Sequence, residues 1–246
     1  MSGIVERLSE NANRVFQHVD EVCQRLGRER SDVLIVAVSK YADLEHTRML
    51  AECLVPIVRQ HGQRLALGEN RPQVLEQKIA GWVQGPDVDW HYIGPLQSNK
   101  IGKVAPFTTL LHSVDRLDLL NKLERYAAQE ALRLSVLLEV NISGEFNKHG
   151  FELENLSQVL DAMAALQHVV PLGLMGMSGL ESDADQRLHQ FQQLAAIGEH
   201  MKGQLPSNLS AGFHQLSMGM SGDLEQALQA GSTIVRIGSA FWEGVL

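Results

Sequence analysis

Leu34-Ile35-Val36-Ala37-Val38-Ser39-Lys40 is an apolar run that stops at an amine, and its reading decides the fold. Its core is β-branched, and alternation puts Val36, Val38 and Lys40 on one face and Ile35, Ala37 and Ser39 on the other. The run over 33–39 predicts a strand, and its alternation could point Lys40 inward above a valine layer. Comparable runs follow at 64–67, 89–93, 109–114, 135–141, 169–175, 212–217 and 233–237. Helix-compatible segments separate them at 44–59, 72–80, 98–104, 116–131, 153–166, 184–202 and 224–230.

Strand and helix in strict alternation require right-handed crossovers and a parallel sheet, and eight repeats let that sheet close. The expectation is an α/β protein, a single (β/α)8 TIM barrel spanning residues 1–246; an open doubly wound sheet is the alternative. Ile4, Leu8, Val15, Val19, Val22 and Leu26 recur at helical steps and predict an extra N-terminal helix, ended near Gly27 and covering one end of the barrel. Pro56 is expected to break the second helix.

The chain has 246 residues and a formal net charge of −8, which argues against a nucleic-acid or anionic-membrane partner. Arg25, Arg28 and Arg30 are expected to complement the end of the first helix and face water. Cys23 and Cys53 are the only cysteines, with no CxxC and no spaced Cys/His set, so neither a disulfide framework nor a metal site is expected. No signal-like or membrane-spanning segment is visible, and a cytoplasmic location is expected. His91, His112, His149, His189 and His214 lack ligand spacing and read mostly as core or hydrogen-bonded histidines.

In a barrel of this kind, chemistry gathers where the C-terminal strand ends meet the following loops. Those positions hold Lys40, Gly68-Glu69-Asn70, Gly94 to Asn99, Ser113 to Asp115, Asn141 to Ser143, Gly176 to Ser178, Ser217 to Ser221 and Gly238-Ser239. A lysine entering an interior loses hydration, which favours the neutral nucleophilic amine and Schiff-base chemistry. The Ser/Gly loops after strands seven and eight suit a phosphate. By alternation Arg236 shares a face with Ile234 and Gly238 and should share the space of Lys40, either in an ion pair with a carboxylate such as Glu139 or against a ring nitrogen. An amine, an anion cradle and a group beside a pyridine nitrogen are what pyridoxal phosphate requires.

These residues resemble the YggS/PROSC-type pyridoxal phosphate homeostasis proteins, which are similar to the barrel domain of alanine racemase. The carriers of the likeness are Val36 to Lys40, Gly68-Glu69-Asn70, Trp90 to Lys100, Ser113 to Arg116, Asn141 to Ser143, Gly173 to Met175, Leu216 to Ser221 and Gly231 to Gly238. The resemblance implies Lys40 as the Schiff-base lysine, Asn70 beside the cofactor, Ser217, Met218, Gly219, Ser221, Gly238 and Ser239 around the phosphate, and Arg236 at the pyridine nitrogen. It also implies buffering or delivery of the cofactor without catalytic turnover, with apo forms of pyridoxal enzymes as recipients. The chain departs from the family pattern at Tyr41-Ala42-Asp43, Arg71-Pro72, the long stretch 44–63 and Gly176 to Gly179.

Two other functions compete. A racemase-like enzyme needs a second acid/base group, which related racemases take from a further β domain; only residues 240–246 follow Ser239, so that domain and its dimer contact are not expected and a monomer is. A cofactor-free aldolase would explain Lys40 and the phosphate loops but not Arg236.

Overall fold

The computed structural model describes residues 2–145 and 149–246. Eight parallel strands close in sequence order: β1 (Leu34–Val38), β2 (Leu65–Glu69), β3 (Val88–Tyr92), β4 (Leu110–Val114), β5 (Leu134–Glu139), β6 (Val169–Met175), β7 (Gln215–Ser217) and β8 (Ile234–Ile237). Closure is made by β8 pairing with β1, Arg236 standing beside Val36. This is the (β/α)8 barrel expected from the alternation.

Inside the barrel, Val36, Ala66, Leu110, Leu137, Met175 and Ile234 form one apolar cluster, while the outward residues Ile35, Ala37, Leu65 and Leu67 join a larger one beneath the helices. The burial of β1 on both faces follows from these two cores. Between β5 and β6 the register shifts at Val136/Leu137. On the other side of β6, Gly173 lets the strand approach β7 closely: its φ is +151°, and a Cβ there would lie 1.9 Å from the Gln215 carbonyl oxygen.

The helices are α1 (Ser2–Arg25), α2 (Leu44–Gln60), α3 (Pro72–Gly81), α4 (Ile101–Val104), α5 (Leu117–Gln129), α6 (Leu156–Ala164), α7 (Ala184–Gln204), α8 (Ser207–Ser210), α9 (Leu224–Gln229) and α10 (Ser239–Trp242). Pro56 lies inside α2 without ending it. Pro56 and Glu52 are both exposed, so the carbonyl deprived of its partner can be hydrated.

The first helix does not cover a barrel end. It packs on α2, α9 and α10, taking the outer position that an eighth barrel helix would fill. Asn11 Nδ2 donates to the carbonyls of Phe241 and Glu243. Of the three arginines expected to face water, Arg25 does so while pairing with Glu225; Arg28 and Arg30 are half-buried, Arg28 donating to the carbonyls of Leu228 and Ser232 and Arg30 pairing with Asp20. Among the described residues no helix is long and apolar enough to cross a membrane.

Candidate functional site

Six strands send residues to one cavity of about 300 Å³ at their C-terminal ends. Val38, Lys40 and Tyr41 come from the end of β1, Asn70 follows β2, Ile93 follows β3 and Met177 follows β6. The wall is completed by Met220, Ser221 and Gly222 after β7 and by Arg236, Gly238 and Ser239 at the end of β8. Lys40 is the only amine among these lining residues.

Of the residues singled out from the sequence, Lys40, Asn70, Ser221, Arg236, Gly238 and Ser239 meet in this wall. Ser217, Met218 and Gly219 lie behind it. Ser217 and Met218 have no exposed surface, and the Gly219 carbonyl accepts from the Arg236 backbone N–H. Because β7 ends at Ser217, only from Met220 onward does the loop reach the opening. Ser221 and Ser239 face each other with Oγ atoms 3.3 Å apart. With six and four residues, α9 and α10 carry little dipole, so an anion here would rely on hydroxyls and loop N–H groups.

Lys40 is half-buried rather than sealed in the barrel, with Nζ 4.9 Å from the ring centroid of Tyr41. The departures from the family pattern have local structural roles. Asp43 caps α2 by accepting from the His46 N–H, Arg71 Nη2 donates to the Lys40 carbonyl at 2.8 Å, and Pro72 starts α3 where a missing N–H costs nothing. Ser178 Oγ donates to Asp223, and Gly179 N–H donates to Gln190.

A buried ion pair that the sequence reading missed stands under the mouth. Lys78 Nζ donates to Glu69 Oε2 (2.8 Å), the Ser39 carbonyl (2.7 Å) and Ser39 Oγ (3.0 Å). Glu69 Oε1 accepts from the N–H groups of Asn70 and Arg71. The pair thereby ties the residue before Lys40 to the backbone of Asn70. The one available signal was that Lys78 falls three residues after Leu75, on the inward side of α3. Asn70 is also held from β3: its carbonyl accepts from Tyr92 Oη and packs so closely on Gly94 that a Cβ there would lie 2.1 Å away. Its Oδ1 is buried and has no hydrogen-bond partner among the described residues.

Arg236 is buried and makes no ion pair among the described residues, so of the two alternatives the pairing with Glu139 is not formed. Nη1 donates to the Ser217 carbonyl (2.7 Å) and Ser217 Oγ (2.6 Å), and Nη2 to the Gly176 carbonyl (3.2 Å). Burial lowers its pKa to about 10, against the opposing pull of Asp223 and Glu139. It remains cationic at neutral pH.

Glu139 is 4% exposed, and its pKa is pushed up to about 7, first by burial and then by Asp115, with His149 and Arg236 acting against the rise. Between the ordinary value of 4.5 and about 7 the folded state therefore binds more protons than the unfolded state, and this carboxyl's contribution to stability is lost as pH rises through that window. His91, pushed down to about 4 by burial, works in the opposite direction. Glu139→Gln should gain stability over the parent progressively from pH 4.5 to about 7 and hold a constant difference above it. Urea denaturation at stepped pH measures this; parallel pH curves for the two proteins would refute it.

The alanine racemase N-terminal domain family matches residues 79–244. The chain is 33% identical over 238 residues to a pyridoxal phosphate homeostasis protein of Vibrio alginolyticus, covering 96% of each chain. Among solved structures it is similar to PipY of Synechococcus elongatus PCC7942 with pyridoxal phosphate bound, with a TM-score of 0.75, 29% identity, and 91% of this chain and 98% of that one covered. Alanine racemase of Corynebacterium glutamicum shares the fold at 17% identity, with a TM-score of 0.63 over 97% of this chain and 60% of that one.

Proposed function

The chain belongs to the family of pyridoxal phosphate homeostasis proteins and carries the alanine racemase N-terminal domain, and on that premise we propose that it binds pyridoxal 5'-phosphate reversibly through Lys40 and holds or delivers it without catalytic turnover. The observation that carries the reading is the convergence of one amine, one buried guanidinium and two hydroxyl-bearing loops on a single cavity. When bound, the cofactor supplies an aldehyde that condenses with an amine and a pyridine ring that withdraws electrons once its nitrogen is protonated.

The residues present fit that group. Asn70 Oδ1 is a buried acceptor without a donor among the described residues, in a residue that lines the cavity. Ser221, Gly222, Gly238 and Ser239 present only hydrogen atoms or hydroxymethyl groups, which lets their backbone approach an anion closely. Lys40 would carry the aldehyde as a Schiff base, with the Tyr41 ring beside its amine. Arg236 can only donate, so it would disfavour a proton on the ring nitrogen and weaken the ring as an electron sink. Holding rather than transforming is the outcome this chemistry favours. We place the protein in the cytoplasm as a monomer, with apo pyridoxal enzymes as recipients.

A racemase-like enzyme is the second reading, and Tyr41 is the residue that could support it. Tyr92 Oη is already committed to the carbonyls of Asn70 and Pro95, and Tyr126 belongs to α5, outside the cavity lining. Tyr41 is 77% exposed and touches Lys40, whereas two-base chemistry needs the groups on opposite faces of one carbon. Incubation with the cofactor should give a visible absorption band that borohydride bleaches, while added L-alanine keeps its optical rotation. Loss of rotation would establish the racemase reading, and absence of the band would remove both.

A further inference from the structure

Behind the cavity wall runs a line of buried polar groups that the proposed binding role does not by itself explain. His91 Nδ1 and His112 Nε2 are 2.9 Å apart, His112 Nδ1 and Ser217 Oγ are 2.9 Å apart, and Ser217 Oγ accepts from Arg236 Nη1 at 2.6 Å. These four residues come from β3, β4, β7 and β8, and all are buried. The line ends on the one guanidinium that lines the cavity.

Its direction follows from counting protons. A guanidinium has only donors, so Arg236 gives a hydrogen to Ser217 Oγ. The serine hydroxyl has a single proton, and among the described residues the only other hydrogen-bond partner of its Oγ is His112 Nδ1. Were Nδ1 the donor instead, the hydroxyl proton would be buried with no acceptor. His112 Nδ1 must therefore accept, which leaves its proton on Nε2, and that nitrogen donates to His91 Nδ1. His91 in turn carries its proton on Nε2. Both imidazoles are neutral in this arrangement, in keeping with burial that pushes His91 down to about 4 and His112 well below the ordinary imidazole value.

We propose that His91 and His112 are positioning residues which, through the Ser217 hydroxyl, form a one-way hydrogen-bond relay that fixes the aim of Arg236 into the cofactor cavity. With its proton drawn toward His112, Ser217 turns lone pairs toward the guanidinium. Nη1 is then committed to Ser217 and one Nη2 hydrogen to Gly176, leaving two of the five N–H donors for the cavity. Without the acceptor on His112, the hydroxyl proton can swing toward Arg236 and push the guanidinium out of register. The consequence for the cofactor rests on the binding proposed above; the tautomers do not.

The test has a ligand-free arm and a cofactor arm. In the cofactor-free protein, imidazole 15N–1H spectra from pH 5 to 8 should show His91 and His112 neutral, each protonated on Nε2 and bare on Nδ1. A proton on His112 Nδ1, or an imidazolium at either residue, would overturn the relay. In the second arm, His112→Leu should weaken pyridoxal phosphate binding roughly tenfold and shift the visible band, because a buried donor is left unpaired. His112→Asn places an oxygen acceptor near the Nδ1 position and should stay within about threefold of the parent. Ser217→Ala, which leaves both histidines in place, should reproduce the leucine variant and covers the case in which that variant does not fold. Equal binding by the leucine and asparagine variants would reduce the histidines to packing. A parent protein that takes up no cofactor would remove the binding proposal and leave the relay to be decided by the 15N spectra.

Discussion

Lys40→Ala is expected to abolish borohydride-fixed incorporation of pyridoxal phosphate completely, because among the described residues no other lining residue of the cavity has an amine. Noncovalent binding should persist in weakened form. The loop residues that would meet the phosphate, Ser221, Gly222, Gly238 and Ser239, do not depend on Lys40 for their positions: Ser221 and Ser239 face each other, and Gly238 packs on Val38. A hydrogen bond to a charged group is worth about 1.5–3 kcal/mol, so the variant should still prefer the phosphate ester over pyridoxal by at least roughly tenfold. Equilibrium dialysis with the two vitamers measures the ratio. Equal affinity would mean that the anion cradle has been assigned to the wrong loops.

The second large effect concerns stability. Lys78 and Glu69 are almost wholly buried, and removing one partner leaves an uncompensated charge in the barrel wall. Lys78→Met should cost about 3–5 kcal/mol, which for a chain of this size lowers Tm by roughly 10 °C. Glu69→Gln with Lys78→Met keeps an acceptor for the N–H groups of Asn70 and Arg71 while removing both charges, and should recover much of that loss. Thermal denaturation of the two variants decides the matter. A double variant less stable than Lys78→Met alone would show that the pair's attraction, not the stranded charge, sets the cost. Since the pair also holds Ser39, the single variant should lose cofactor affinity along with stability.

Much of this was legible in the sequence because strand burial has a short period. Val36, Val38 and Lys40 read as one face, Ile234, Arg236 and Gly238 as another, and the barrel brings Lys40 and Arg236 to the same cavity. Packing partners were not legible. The apolar stripe of α1 marks a buried face but does not say which surface it meets, and the position beside α2 and α9 becomes apparent only once the closed barrel is seen to lack an outer helix there. The loop after β7 shows the same limit: the shortness of β7 decides that Ser217 to Gly219 stand behind the wall and Met220 to Gly222 in it, and strand length is set by pairing with neighbours. The contacts of Lys78 and His112 join residues far apart in the chain, at 39 and 105 positions from their serine partners, and no local pattern announces them.

Peptide mapping after borohydride reduction of the parent protein with pyridoxal phosphate tests the central claim most directly. The account predicts one modified lysine, Lys40, in stoichiometric yield. Modification of Lys78, Lys100, Lys103, Lys122, Lys148 or Lys202 in its place, or no fixed cofactor at all, would contradict it.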